Sequence, residues 1–257
     1  MGLELPASLS PSKVVSFRDC ALAFKYSAID RLPEPPSPPA AKGTLVHRAL
    51  ELLYGREPAD RTIENALRDL DRAWDDVLTT DEYAGMEVPD DFRSSAATLV
   101  RRYFDLEDPT KIRPIGLELF LSTPLNERVN LRGIIDRLEL DEDGELVVTD
   151  YKTGKVPGER QEQGRLTGVH FYSYLCEKLF GRRPARIQLL YLGEPVAIIA
   201  TPSEQSTRGL ERKVGAIWTA IERACERDDF RPRPSALCGW CSFKEHCPAF
   251  GGAAIAS

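Results

Sequence analysis

Residues 131–155 read LRGIIDRLELDEDGELVVTDYKTGK. The stretch divides into two strand-forming runs around an acidic turn, where Asp143-Gly144 is a strong hairpin signal. At a period of two, Ile134, Asp136 and Leu138 share one face of the first run. Leu146, Val148, Asp150 and Lys152 share a face of the second. Asp and Lys are depleted in strands, and burying them without partners is costly. A divalent cation would offset that cost. Asp136 and Asp150 offer hard oxygen ligands, and Lys152 can meet a phosphate or an attacking water.

The stretch resembles the active-site core of the PD-(D/E)XK nucleases, in which an Asp is followed by a second acid, one intervening residue and a Lys. Here these are Asp136 and then Asp150-Tyr151-Lys152. The wording GIIDRLEL…VVTDYKTGK is closer still to the RecB-type branch, which includes the RecB and AddB nuclease domains and the small CRISPR-associated adaptation nucleases. The resemblance implies an α/β, restriction-endonuclease-like fold: a central mixed sheet flanked by helices, with a helical insertion and a cysteine-rich cluster-binding region joining both termini. It implies one nuclease domain over residues 1–257, a helical elaboration over 56–112, and a clasp formed by 231–250 with the Cys20 region.

A chain of 257 residues can bury a full core as one elaborated domain or two small ones. The formal net charge of −6 argues against a basic, coat-like nucleic-acid binder, although a local groove can still be positive. No run approaches the roughly 18 apolar residues that span a bilayer, and the opening MGLELPASLSPSK lacks the basic and apolar regions of a secretory signal. The expectation is a cytoplasmic protein without a membrane partner, in which six cysteines serve as metal ligands or thiols rather than disulfides.

Outward toward the N-terminus, residues 10–31 predict at least two helical pieces, starting at Ser10-Pro11 and ended by Pro33. LPEPPSPPAAKG (32–43), with five prolines, reads as a stiff connector. It leads into a helix, GTLVHRALELLYG, with Val46, Ala49, Leu50 and Leu53 as its buried stripe. His47 alone would read as structural, but Gly43-Thr44-Leu45-Val46-His47 matches the RecB-type G-x-x-x-H helix, whose His reaches the metal. Two packing helices are expected near 60–78 and 90–106. From Lys111 the period becomes two, with Ile115, Leu117, Leu119 and Leu121 alternating with Gly116, Glu118, Phe120 and Ser122. The resemblance makes Glu118 a second-tier site residue.

On the other side, residues 156–168 read as a polar, glycine-punctuated link to a helix ending at Phe180. Its expected buried stripe is Val169, Tyr172, Cys176 and Leu179. The family carries a Gln-x-x-x-Tyr motif here. Tyr174 matches it, while His170 stands where the Gln is expected. Two strands near 185–192 and 196–201 follow, then a helix from about Ser203 with Leu210, Val214, Ile217, Ile221 and Cys225 inward.

Cys238-x2-Cys241-x5-Cys247-Pro248 has little packing rationale and reads as a metal-ligating loop. A fourth ligand must come from elsewhere: His246 for zinc, awkwardly adjacent to Cys247, or Cys20. The resemblance implies the second, a 4Fe-4S clasp of Cys20, Cys238, Cys241 and Cys247. Cys176 and Cys225, on apolar helix faces, read as core.

The activity implied is metal-dependent DNA hydrolysis, as an exonuclease on single- or double-stranded DNA in repair, recombination or processing, with a helicase or repair complex as the kind of partner implied. Asp136, Asp150 and His47, with the Tyr151 carbonyl, would hold Mg²⁺ or Mn²⁺, and Lys152 would orient the water or stabilise the transition state. Arg182, Arg183 and Arg186 are candidate DNA-backbone contacts. Two other readings are a nuclease-fold DNA-binding subunit with weak or no catalysis, and a zinc-bound structural adaptor. The second leaves the strand acids unexplained.

Overall fold

A computed structural model describes residues 2–156 and 158–252, with side chains outside 159–167. The chain divides into two compact units. Unit 1 holds residues 1–35, 122–133 and 204–257; unit 2 holds 36–121 and 134–203.

In unit 1, the short strand β1 (Ser8–Leu9) leads into helix α1 (Pro11–Asp19), whose Ser10 cap accepts the Lys13 amide at 3.3 Å. Helix α2 (Ala21–Phe24) runs on into a π-helical turn, Lys25–Ile29.

Unit 2 opens with α3 (Pro38–Tyr54). This corrects the proline connector: the helix begins at Pro38, not Gly43, because Ser37 caps it through the Ala40 amide and Pro38 suits a first helical position. Val46, Ala49, Leu50 and Leu53 are fully buried, as the periodicity predicts. Gly43 lies close to the strand end, since a Cβ there would sit 3.3 Å from Thr153 Oγ1, just past Lys152. Helices α4 (Ile63–Leu78) and α5 (Phe92–Tyr103) complete a helical layer whose core includes Leu45, Leu70, Val100 and Tyr103. Ile63, the first residue of α4, is exposed beside its Thr62 cap.

The strands follow: β2 (Pro114–Asn126), β3 (Val129–Leu140) and β4 (Leu146–Lys152). Helix α6 (Glu159–Phe180) then leads to β5 (Arg186–Tyr191), β6 (Val196–Ala200) and α7 (Glu204–Arg227), the last in unit 1. Strand order is β1-β3-β4-β5-β6, with β2 also on β3; β3/β4 and β5/β6 are antiparallel and β4/β5 parallel. The result is the mixed α/β sheet with flanking helices that the sequence implies.

Three expectations change. Helix α6 begins at Glu159 rather than after a polar link, which places Gly164 and Gly168 within it despite a helix cost of about 1 kcal/mol each. Leu179, placed in the buried stripe, is exposed near the end of that helix, and so is Ile134 on β3. Strand β4 is buried on both faces from Leu146 to Tyr151, so its non-alternating composition reflects cover on each side. In α7, Leu210, Val214, Ile221 and Cys225 are buried with Trp218, and Ile217 is half-buried.

Candidate active site and a cysteine-lined cavity

The turn after β3 is built by Asp141, whose carboxylate accepts the Asp143 and Glu145 amides at 3.1 and 2.9 Å, while Gly144 takes a left-handed φ of +75°. This fixes the register Leu138↔Val148 and Arg137↔Thr149. Two residues along from the first of these pairs, Asp136 and Asp150 therefore share a face. Asp136 Oδ2 accepts the Tyr151 amide at 2.6 Å.

From α3, His47 Nε2 lies 3.1 Å from the Tyr151 carbonyl oxygen. Its Nδ1 lies 3.6 Å from Asp136 Oδ1 and 3.9 Å from Glu118 Oε1. Burial works against a charge on this imidazole, but Asp136, Asp150 and Glu118 together outweigh it and raise the pKa. Glu118 reaches the group from a backbone kink. Its φ is +42°, a left-handed conformation uncommon outside glycine, and it interrupts the alternation of β2. Burial, then the Asp136 charge, pushes the Glu118 carboxyl up to about 7.

Asp150 is 4% exposed. Its Oδ1 accepts the Tyr172 hydroxyl at 3.2 Å, and its Oδ2 contacts the Lys152 ammonium. Burial and the nearby Asp136 charge raise the Asp150 carboxyl despite that ammonium. Lys152 is itself raised: burial opposes its charge, and Asp150 more than compensates.

Three carboxylates thus converge with one imidazole and one ammonium. Among the described residues, His47, Glu118 and Asp136 each present a ligand atom within 4.8 Å of the others. Oxygen donors with one imidazole, carrying excess negative charge in a half-buried site, fit a hard divalent cation. Asp150 lies outside that trio and couples to it electrostatically.

The structure places other residues differently from the sequence reading. Tyr172, expected in the core stripe of α6, is the residue whose hydroxyl meets Asp150. Tyr174 is buried with the Lys178 ammonium 5.3 Å from its ring centre, and His170 is half-buried; no described contact joins either to Asp136 or Asp150. Arg182, Arg183 and Arg186 form ion pairs with Glu145, Glu177 and Asp141. The alternation of β4 could not distinguish Tyr172 from Tyr174, because only the rotation of α6 against the strand decides between them.

Arg137 was not singled out by sequence and is completely buried. It faces away from Asp136. Its Nη1 donates to the Tyr54 and Tyr151 hydroxyls at 2.7 and 2.8 Å. Its Nη2 donates to both Glu107 oxygens at 2.9 Å and to Thr149 Oγ1 at 3.0 Å. Its Nε donates to Glu139 at 2.5 Å. The one legible signal was a charge inside an apolar strand.

In unit 1, Cys20, Cys238, Cys241 and Cys247 line one cavity of about 240 Å³, with Tyr26 and Phe243 in its wall. The Arg233 amide donates to Cys20 Sγ at 3.5 Å and the Ser235 amide to Cys238 Sγ at 3.3 Å. Tyr26 donates to the His246 carbonyl oxygen at 3.0 Å, and the two rings pack edge to face at 6.4 Å. Cys176 and Cys225 are buried, as expected for core residues.

Residues 8–248 match the model of the PD-(D/E)XK nuclease superfamily, and the chain belongs to that family. Among solved structures, a candidate exonuclease from Eubacterium rectale is similar in fold, with 10% identity and a TM-score of 0.54 over 91% of this chain and 87% of that one. The protein SSO0001 aligns over 96% of this chain and 88% of its own at 12% identity and a TM-score of 0.47. No curated protein matches the sequence. Among the described residues, no helix is long and apolar enough to cross a membrane.

Proposed function

We propose that this chain is a divalent-metal-dependent deoxyribonuclease, acting as an exonuclease on DNA ends in repair, recombination or processing. The observation that carries the reading is the convergence of His47, Glu118 and Asp136 beside the strand bearing Asp150 and Lys152. His47, Asp136, Asp150 and the Tyr151 carbonyl would hold Mg²⁺ or Mn²⁺, with Glu118 as a further carboxylate. Such an ion, when bound, acidifies a water and offsets charge on the scissile phosphate. Lys152, its charge favoured by Asp150, would donate to that water or to a phosphate oxygen. Asp150, pinned by Tyr172 and Lys152, keeps its carboxylate oriented without spending freedom at the reacting moment.

The four cysteines around the unit 1 cavity support a 4Fe-4S clasp. Soft thiolates with amide donors aimed at two of the sulfurs suit such a cluster, and Cys20 is favoured over His246 as fourth ligand because Cys20 lines the cavity while His246 is not among its lining residues. The family match spans both units, which supports one nuclease domain with the clasp as part of it, at work in the cytoplasm beside a helicase or repair partner. The deciding experiment is incubation with end-labelled single- and double-stranded oligonucleotides in Mn²⁺ or chelator. Metal-dependent shortening that Asp150→Ala abolishes is expected, and cleavage that persists in chelator would overturn the reading.

A further inference from the structure

The residue Tyr151 is held at three points. Its amide donates to Asp136 Oδ2, its carbonyl oxygen lies 3.1 Å from His47 Nε2, and its hydroxyl accepts from Arg137 Nη1 at 2.8 Å. The first two contacts face the metal site and the third faces the helical layer. Arg137 also grips Thr149, the residue on the other side of Asp150, at 3.0 Å. One buried guanidinium thus fixes both neighbours of Asp150, and through the Tyr151 peptide it fixes the two groups that lean on that peptide. It is itself the covalent neighbour of Asp136.

Two features argue against packing alone. A completely buried cation is costly, and replacing a buried ion cluster as a whole by apolar side chains of similar volume is often neutral or stabilising, so packing alone does not call for one. The acceptors of this guanidinium are also distributed across β3, β4, α3 and the Glu107 segment after α5, matching the planar fork that only arginine offers. The two Glu107 bonds anchor the fork from outside the sheet, and Glu107 in turn accepts from Gln188 Nε2 of β5 at 2.7 Å, which ties that anchor to the strands.

We infer that Arg137 and the Tyr151 hydroxyl are positioning residues for the metal site, holding the Tyr151 peptide where Asp136 and His47 can ligate together. This rests on the metal-site reading above. The geometry predicts that loosening the anchor weakens metal affinity more than it weakens the fold. Residues that orient ligands from behind typically carry about 10- to 100-fold in metal affinity.

The test compares Tyr151→Phe, Arg137→Lys and Asp136→Asn with the full-length wild type. It measures Mn²⁺ binding without DNA, thermal midpoint, and kcat against KM on an oligonucleotide. Tyr151→Phe keeps the ring and is expected to fold, with Mn²⁺ Kd raised about 10-fold or more and kcat lowered at saturating DNA. Arg137→Lys retains the charge but loses the fork and should fall in the same direction. A Tyr151→Phe protein of lowered midpoint but wild-type Mn²⁺ affinity would show a structural role only and overturn the inference. Asp136→Asn separates the two readings: if it too binds Mn²⁺ like wild type, the metal site itself is misassigned.

Discussion

The amide of Tyr151 and the carboxylate of Asp136 are joined at 2.6 Å, across two strands whose backbone ladder has just passed the Arg137↔Thr149 rung. A side chain continues the bonding where the rung pattern gives way to the site. One Asp136 oxygen is spent on architecture, and the other faces His47 Nδ1 at 3.6 Å.

The division of labour in that carboxylate leads to a mutational expectation. Asp136→Asn can still accept the amide but loses the charge, so it should remain folded while metal-dependent cleavage falls by about 10³-fold or more. Asp150→Ala should do the same, since it removes a buried carboxylate that Asp136 repels. Gel-resolved cleavage alongside circular dichroism checks both. Full activity in Asp150→Ala would remove this residue from the mechanism.

His47 approaches from a helix rather than a strand, and its loss leaves the acids in place. His47→Ala is expected to raise the Mn²⁺ requirement by about 10- to 100-fold, with activity recovering at high metal. A metal titration of the cleavage rate measures this, and an unshifted titration curve would return His47 to a packing role.

The Glu118 carboxyl, raised to about 7 by burial and then by Asp136, is protonated below that pH and ionised, free to ligate, above it. His47, also raised, must likewise give up a proton to ligate. Mn²⁺ affinity should therefore strengthen as pH rises from about 6 to about 8, by up to about tenfold per unit for each proton displaced. Calorimetric titrations at several pH values follow the slope. A Glu118→Gln profile as steep as the wild type would exclude Glu118 as the titrating group.

Cys20 and the 238–247 segment come from opposite ends of unit 1, so a shared cluster closes a loop of more than two hundred residues. In the comparable disulfide case such closure is worth about 4 to 5 kcal/mol. Anaerobically prepared protein should be brown, and Cys20→Ala should lose the colour and melt at a lower temperature. Metal analysis giving zinc without iron would refute the cluster, and an undiminished melting temperature in Cys20→Ala would refute the clasp.

Local patterning made much of this legible. The faces of β3 and β4 follow from a period of two around Asp143-Gly144, and the buried stripe of α3 follows from its spacing. The cysteine spacing, with Cys20 supplied by family resemblance, pointed to residues that do line one cavity. What stayed hidden depends on partners distant in sequence. Whether Tyr172 or Tyr174 meets Asp150 is set by the rotation of α6. The value of Arg137 lies in hydroxyls and carboxylates contributed by residues 30 to 83 positions away as well as by near neighbours. Ile134 appeared apolar and inward, yet is 49% exposed, because the cover over that face of β3 begins only at Asp136.

The left-handed backbone at Glu118 places a locally unfavourable residue at a useful point. An L-residue pays roughly 1–2 kcal/mol for that conformation, and Asn tolerates it better. Exchanging Glu118 for Asn should therefore yield a protein that melts higher and holds its ion less well. If Glu118 ligates as proposed, the chain trades resistance to heat for affinity at a single peptide, and selection for thermal robustness alone would erode the site there first.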